Sequence, residues 1–242
     1  MRVCVNACQE LSDRAAAEAT YGNISTWDTS QVTDMSDLFA NEAAFNDAIG
    51  LWNTTGVTTM AYMFYGASAF DQSLADWSVD EVKSMEAMFS GASKFNQPLN
   101  DWNVDSVTHV NDLFRSASTF DQPLDGWNVT QVTTMYRMFS YSTAFNQPLD
   151  GWSVDKVMSM QGMFYGARSF DQDLGWCIDY SVFLGGALTF YDTPCESTAC
   201  GVVQVEGGCT PSPAPTEGKT DAASRSRGHA VFAIALVACL VF

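Results

Sequence analysis

Residues 77–101 read Trp-Ser-Val-Asp-Glu-Val-Lys-Ser-Met-Glu-Ala-Met-Phe-Ser-Gly-Ala-Ser-Lys-Phe-Asn-Gln-Pro-Leu-Asn-Asp. The same register runs through most of the chain, with Trp27, Trp52, Trp77, Trp102, Trp127 and Trp152 spaced by 25 residues and Trp176 one residue early. Val32, Val57, Val82, Val107, Val132 and Val157 keep the same beat, as do the pairs Leu38-Phe39, Met63-Phe64, Met88-Phe89, Leu113-Phe114, Met138-Phe139 and Met163-Phe164. A second column holds Phe45, Phe70, Phe95, Phe120, Phe145 and Phe170. A fixed period of this size marks an array in which each unit covers the apolar face of its neighbour.

Two periods separate within one unit. Val57, Met60, Met63, Phe64 and Ala67 form the stripe of a helix with one buried face. Phe70-Asp71-Gln72-Ser73-Leu74 alternates apolar and polar side chains, as a strand does. A helix plus a strand in 25 residues matches the leucine-rich-repeat unit. The expected fold is therefore α/β, a leucine-rich-repeat-like right-handed solenoid. It has about seven units, each with a short helix and a short parallel strand. After the second Phe only Asn or Asp occurs (Asn46, Asp71, Asn96, Asp121, Asn146, Asp171), and Gln72, Gln97, Gln122, Gln147 and Gln172 follow. Short polar side chains suit a turn between units, and the glutamines suggest a polar ladder. Pro98, Pro123 and Pro148 fall inside the expected strand and each removes a ladder donor, so that strand must be short.

The boundaries follow from where the register starts and fails. Residues 1–26 form an N-terminal helical cap, with Leu11 to Tyr21 the helix-prone part, and 27–190 hold the repeats. Phe183 to Phe190 echoes Met163 to Phe170 and makes a truncated last unit. Residues 191–209 are a Cys-rich C-terminal cap, 210–229 a disordered stalk, and 230–242 an apolar anchor-like tail. That tail is thirteen residues, about 20 Å as a helix and short of the roughly 30 Å hydrocarbon core. With a small-residue stretch and polar spacer before it, a lipid-anchor signal is expected, Gly218, Asp221 and Ala222 being the attachment candidates; a truncated membrane span is the rival. The tail makes the membrane one expected partner.

The net charge is −17, from 28 acidic and 11 basic side chains, which repels phosphate backbones and excludes nucleic acid as a partner. No metal or other cofactor is expected, since the aspartates lack the alternate-oxygen spacing of a calcium loop. Cys4, Cys8, Cys177, Cys195, Cys200 and Cys209 are disulfide candidates. Zinc is the competing reading, but no C-x-x-C pair and only two His occur, so disulfides are preferred. Asn23, Asn53 and Asn128 open N-glycosylation sequons. Met1 to Glu10 carries no apolar leader, so an upstream N-terminus is expected. His109 occupies a slot held elsewhere by Ser, Thr or Asp and reads as a surface variant. No catalytic constellation stands out, and the chain is expected not to be an enzyme.

The unit W-x-V-x-x-V-T-x-M-x-x-M-F-x-x-A-x-x-F-N/D-Q-P-L resembles the BspA-type leucine-rich-repeat surface protein family. Trp77-Ser78-Val79, Val82, Met85, Met88-Phe89, Ala92 and Phe95-Asn96-Gln97-Pro98-Leu99 carry the likeness, with Lys83 where the motif has Thr. Tyr21 to Trp27, Leu174 to Cys177 and Pro194 to Ser197 look similar to the ends of such arrays in microalgae and other protists. The resemblance implies a cell-surface protein of adhesion or recognition, with no catalytic residues to carry over. The expected function is a non-catalytic, extracellular, membrane-anchored module binding a protein or glycan through residues 71–76 and their equivalents. A structural wall or coat component assembling by its stack ends is the alternative, and a carbohydrate-active enzyme a more remote one.

Overall fold

The computed structural model describes residues 14–208. A helix, α1 (Arg14–Tyr21), leads into a 3-10 turn at Ile24–Thr26. Two short parallel strands, β1 (Cys177–Asp179) and β2 (Val203–Val205), close the other end. Between them, successive units lie side by side in register. Six isolated parallel bridges join Asp34 to Thr59, Thr59 to Ser84, Ser84 to His109, His109 to Thr134, Thr134 to Ser159 and Ser159 to Phe183.

The apolar columns of the sequence become columns of rings. Phe39, Phe64, Phe89, Phe114, Phe139, Phe164 and Phe190 stack near-parallel at 5.5–5.9 Å between neighbours. Phe45 to Phe170 form a second column, each ring 3.8–4.1 Å from the first-column ring of its own unit. Offset aromatic pairs add about 0.5–1.5 kcal/mol each beyond the area they bury. Trp52, Trp77, Trp102, Trp127, Trp152 and Trp176 are buried, and Trp27 is partly buried at the first unit. Each buried indole must place its N–H. Trp52 Nε1 donates to the Ile24 carbonyl at 2.8 Å, Trp77 to Ile49 at 3.2 Å, Trp102 to Leu74 at 3.1 Å and Trp127 to Leu99 at 2.8 Å. The tryptophan is thus both core filler and a hydrogen-bonded tie to the preceding unit.

The expected helix over Val57–Ala67 is not there; the segment is a run of consecutive turns. Met60, Met63, Phe64 and Ala67 do point inward, but the backbone alternates hand. Tyr62 has φ 59 and Gly66 φ 69; Ala87 and Gly91, Asp112 and Ser116, and Arg137 and Tyr141 repeat the pattern. Every second N–H therefore points along the stack. Met60 N–H donates to Ser84, Tyr62 to Glu86, Phe64 to Met88 and Gly66 to Ser90, at 2.7–3.0 Å. The intervening donors stay local, Met63 to Met60, Tyr65 to Tyr62 and Ala67 to Phe64. An α-helix would spend all these donors on its own carbonyls and leave none for the neighbouring unit. The left-handed residues cost about 1–2 kcal/mol each where they are not glycine.

The expected strand at Phe70–Leu74 is also absent; the parallel pairing sits at Thr59 and its equivalents instead. Side chains carry the ladder here. Asn46 Oδ1 accepts from Asp71 N–H at 2.9 Å and from Gln72 Nε2 at 3.1 Å. Asp71 Oδ1 likewise accepts from Asn96 N–H at 3.0 Å and Gln97 Nε2 at 2.8 Å, and Asn96, Asp121 and Asn146 continue the column. One acceptor oxygen at fixed reach takes two donors from the next unit, which only Asn or Asp supplies. Pro98, Pro123 and Pro148 are exposed and interrupt no backbone ladder.

The C-terminal register differs from the expected echo. Phe190 stacks on Phe164 at 5.9 Å rather than standing in for Phe170, and Cys195 Sγ reaches the Phe170 carbonyl at 3.3 Å. Residues 190–205 lie along 164–180 as a further partial unit, with Leu174 N–H donating to Cys200 and Val203 N–H to Trp176.

Trp102→Ala removes a mid-array indole and its tie to Leu74, and is expected to lower stability by about 3–5 kcal/mol, with urea unfolding turning biphasic as the two halves uncouple. An unchanged midpoint would contradict the inward placement. Ser116→Gly relieves a left-handed backbone and is expected to raise the thermal midpoint by about 2–4 °C. Gly91→Ala should lower it, because a Cβ there meets the Gly66 Cα at 3.3 Å.

Candidate functional site

Because the turn segments alternate hand, several residues between the buried Met and Phe positions reach the surface: Tyr62 and Tyr65, Glu86, Asp112 and Arg115, Tyr136 and Arg137, then Gln161 and Tyr165. Ala87, Ser90 and Ser140, in the same slots of other units, are buried. The constant Asn/Asp and Gln slots are committed to the ladder. Within residues 71–76 and their equivalents, expected to make contacts, the Asn/Asp and Gln slots are thus ladder and Leu74 is buried, while Ser73, Ala75 and Asp76 are exposed and change between units; a second set of variable residues lies on the turns. The signal was present in the sequence as columns of unlike residues between columns of like ones.

The face is polar and aromatic. Tyr62 donates its hydroxyl to Glu86 Oε1 at 2.7 Å. That bond, burial and the carboxylates of Glu86, Asp112 and Asp37 push its phenol up to about 12. Burial pushes the Asp112 carboxyl above its ordinary value, against the pull of Arg115 and Arg137 and with Glu86 adding to the rise. Asp112 Oδ1 is buried without a hydrogen bond, with Arg115 Nε 3.7 Å away. Arg137 lies over the Tyr136 ring at 4.8 Å. Tyr141 meets Tyr165 edge-on at 5.2 Å, and Tyr165 stacks on Tyr191 at 5.1 Å. Arg115, Arg137, Ser140, Tyr141, Gln161 and Tyr165 line a groove of about 320 Å³.

The other singled-out residues are dispersed. Asn23, Asn53 and Asn128 are exposed, and each side-chain oxygen accepts the N–H two residues on, Ser25, Thr55 and Thr130. For Asn53 and Asn128 this turn gives a structural reason for the slot after Trp, shared with Asn103 and Asp28, whereas Asn23 caps the Ile24–Thr26 turn. Cys195 and Cys200 are joined in a disulfide, and Cys177 is also disulfide-bonded. Cys4, Cys8 and Cys209 lie outside the described residues, as do Gly218, Asp221, Ala222 and the apolar tail. His109 is exposed beside the Thr108 hydroxyl at 2.8 Å. Among the described residues there is no group of three or more metal-ligating side chains, and no helix long and apolar enough to cross a membrane.

The family described as Mycoplasma protein of unknown function, DUF285, matches residues 7–125 and 98–182. Those spans cover more than half of the chain, so the protein belongs to this family, which is the one that BspA-like repeat proteins belong to. No curated protein and no solved structure matches the chain.

Asp112→Asn tests the electrostatics of the face. A carboxyl raised in the folded state contributes stability below its unfolded value, about pH 4, that is lost as pH climbs through the folded value. The Asn variant has no such titration, so it is expected to melt higher than the parent at pH 7, the gap closing as pH falls toward about 4. A gap independent of pH would contradict the burial cause.

Proposed function

We propose that the chain is a leucine-rich-repeat-like solenoid serving as a non-catalytic recognition or adhesion module at the cell surface, and that it binds protein or glycan through the variable turn face. The observation carrying this reading is the division of labour among slots. Rings, indoles and the Asn/Asp–Gln column repeat from unit to unit, while the turn slots between them vary and carry surface tyrosine, arginine and amide groups. Tyrosine gives large contact area at low entropic cost and a hydroxyl to steer it. The exposed sequons and the disulfide-bonded cysteines support a location outside the cell, where disulfides persist; the apolar tail is its proposed membrane anchor.

The full chain on beads, presented to cell surfaces and to arrayed glycans, tests the reading. The double variant Tyr65→Ser, Tyr141→Ser is expected to lose retention by about tenfold with an unchanged melting profile. Retention insensitive to the face, or concentration-dependent polymers in size-exclusion with no ligand captured, would transfer the role to a coat component.

A further inference from the structure

The groove beside Arg115 and Arg137 stands apart in charge. In a chain of net charge −17, it brings two guanidinium groups into one concavity with the Tyr141 and Tyr165 phenols, the Gln161 amide and the Ser140 hydroxyl. Other cations are committed elsewhere: Arg168 pairs with Asp192 at 2.8 Å and Lys156 donates to Gln131 at 2.7 Å. Among the described residues Arg115 meets one carboxylate, Asp112, at 3.7 Å. Arg137 stacks on Tyr136 and has no carboxylate within ion-pair distance among the described residues. Its planar fork of donors is therefore unspent, and that fork matches a carboxylate in shape.

Two glycines shape the space. Gly162 stands in the column of Arg137 and Asp112, where a Cβ would meet the Arg137 Cγ at 3.3 Å. Gly166 stands in the column of Tyr141, where a Cβ would meet the ring at 2.8 Å, so the Tyr141 ring lies against bare backbone. The result is a groove of about 320 Å³, near the lower end of the roughly 300–1,000 Å³ of small-ligand sites. It combines a paired cationic end, neutral hydroxyl and amide donors, and flat aromatic edges.

We propose that this groove binds an acidic saccharide, its carboxylate held by Arg115 and Arg137 and its hydroxyls by Gln161, Ser140, Tyr141 and Tyr165. The inference rests on the recognition reading and gives it a ligand class. The guanidiniums answer the charge, and the aromatic and amide groups answer a polyhydroxylated ring, which a bare inorganic anion does not use. Asp112, 3.7 Å from Arg115 Nε, competes for that guanidinium and sets the affinity down.

Calorimetric titration of the full chain with trigalacturonate tests it, beside its methyl ester, sodium sulfate and a neutral trigalactoside. Trigalacturonate is expected to bind, with the ester and the sulfate at least about tenfold weaker. R115Q and R137Q should each weaken trigalacturonate about 10- to 100-fold, K94Q should leave it unchanged, and D112N should tighten it; melting profiles confirm that each variant is folded. Absence of trigalacturonate binding, equal binding of the ester, sulfate matching the sugar, or indifference to both arginine variants each overturns the proposal. If neutral glycans or cells are still retained through Tyr65 while trigalacturonate is not, only the acidic-saccharide site falls; if nothing is retained, the recognition reading falls with it.

Discussion

The structure depends on one division of the backbone. In each turn segment half of the N–H groups close local turns and the other half cross to the next unit, as Tyr62 to Glu86 and Phe64 to Met88 do. The crossing bonds fix the spacing at which Phe and Trp columns meet, and the columns bury the surface that makes the bonds worth forming. Neither stands without the other, because a lone unit has no carbonyls to receive its outward donors.

The same division separates scaffold from variable surface. Alternation of hand sends the Met and Phe side chains inward, and the column Tyr62, Ala87, Asp112, Arg137 changes from unit to unit while the rings stay stacked. A scaffold held by backbone and aromatic columns tolerates wide chemical variation on that strip, which is the property a recognition surface requires. The non-glycine left-handed residues there are a standing local cost, offset by the bonds each unit makes to the next.

Much of this was legible in the residues. The Trp and Phe columns, the inward Met stripe and the Gln column are visible as repeats; neighbouring rings of the Trp and Phe columns stack, and each Gln donates to the Asn or Asp of the preceding unit. The element type was not legible. A stripe at Met60, Met63, Phe64 and Ala67 reads as a helix because turns of alternating hand bury the same offsets, and Gly66, Gly91, Gly162 and Gly166 hint at positive φ, while Tyr62 and Arg137 conceal it. The alternation in Phe70 to Leu74 came from a side-chain ladder rather than a backbone one. The groove was hidden for a different reason: Arg115, Arg137 and Tyr165 are far apart in sequence and become neighbours only through the pairing of units.

The Asn/Asp column has one more consequence. Its members strictly alternate, Asn46, Asp71, Asn96, Asp121, Asn146, Asp171, so that no carboxylate sits directly against another, an arrangement that would repel. Losing one Asn-bearing unit would set two carboxylates face to face, whereas losing an Asn–Asp pair leaves the alternation whole. The charge pattern therefore repeats over two units, twice the length of the visible repeat.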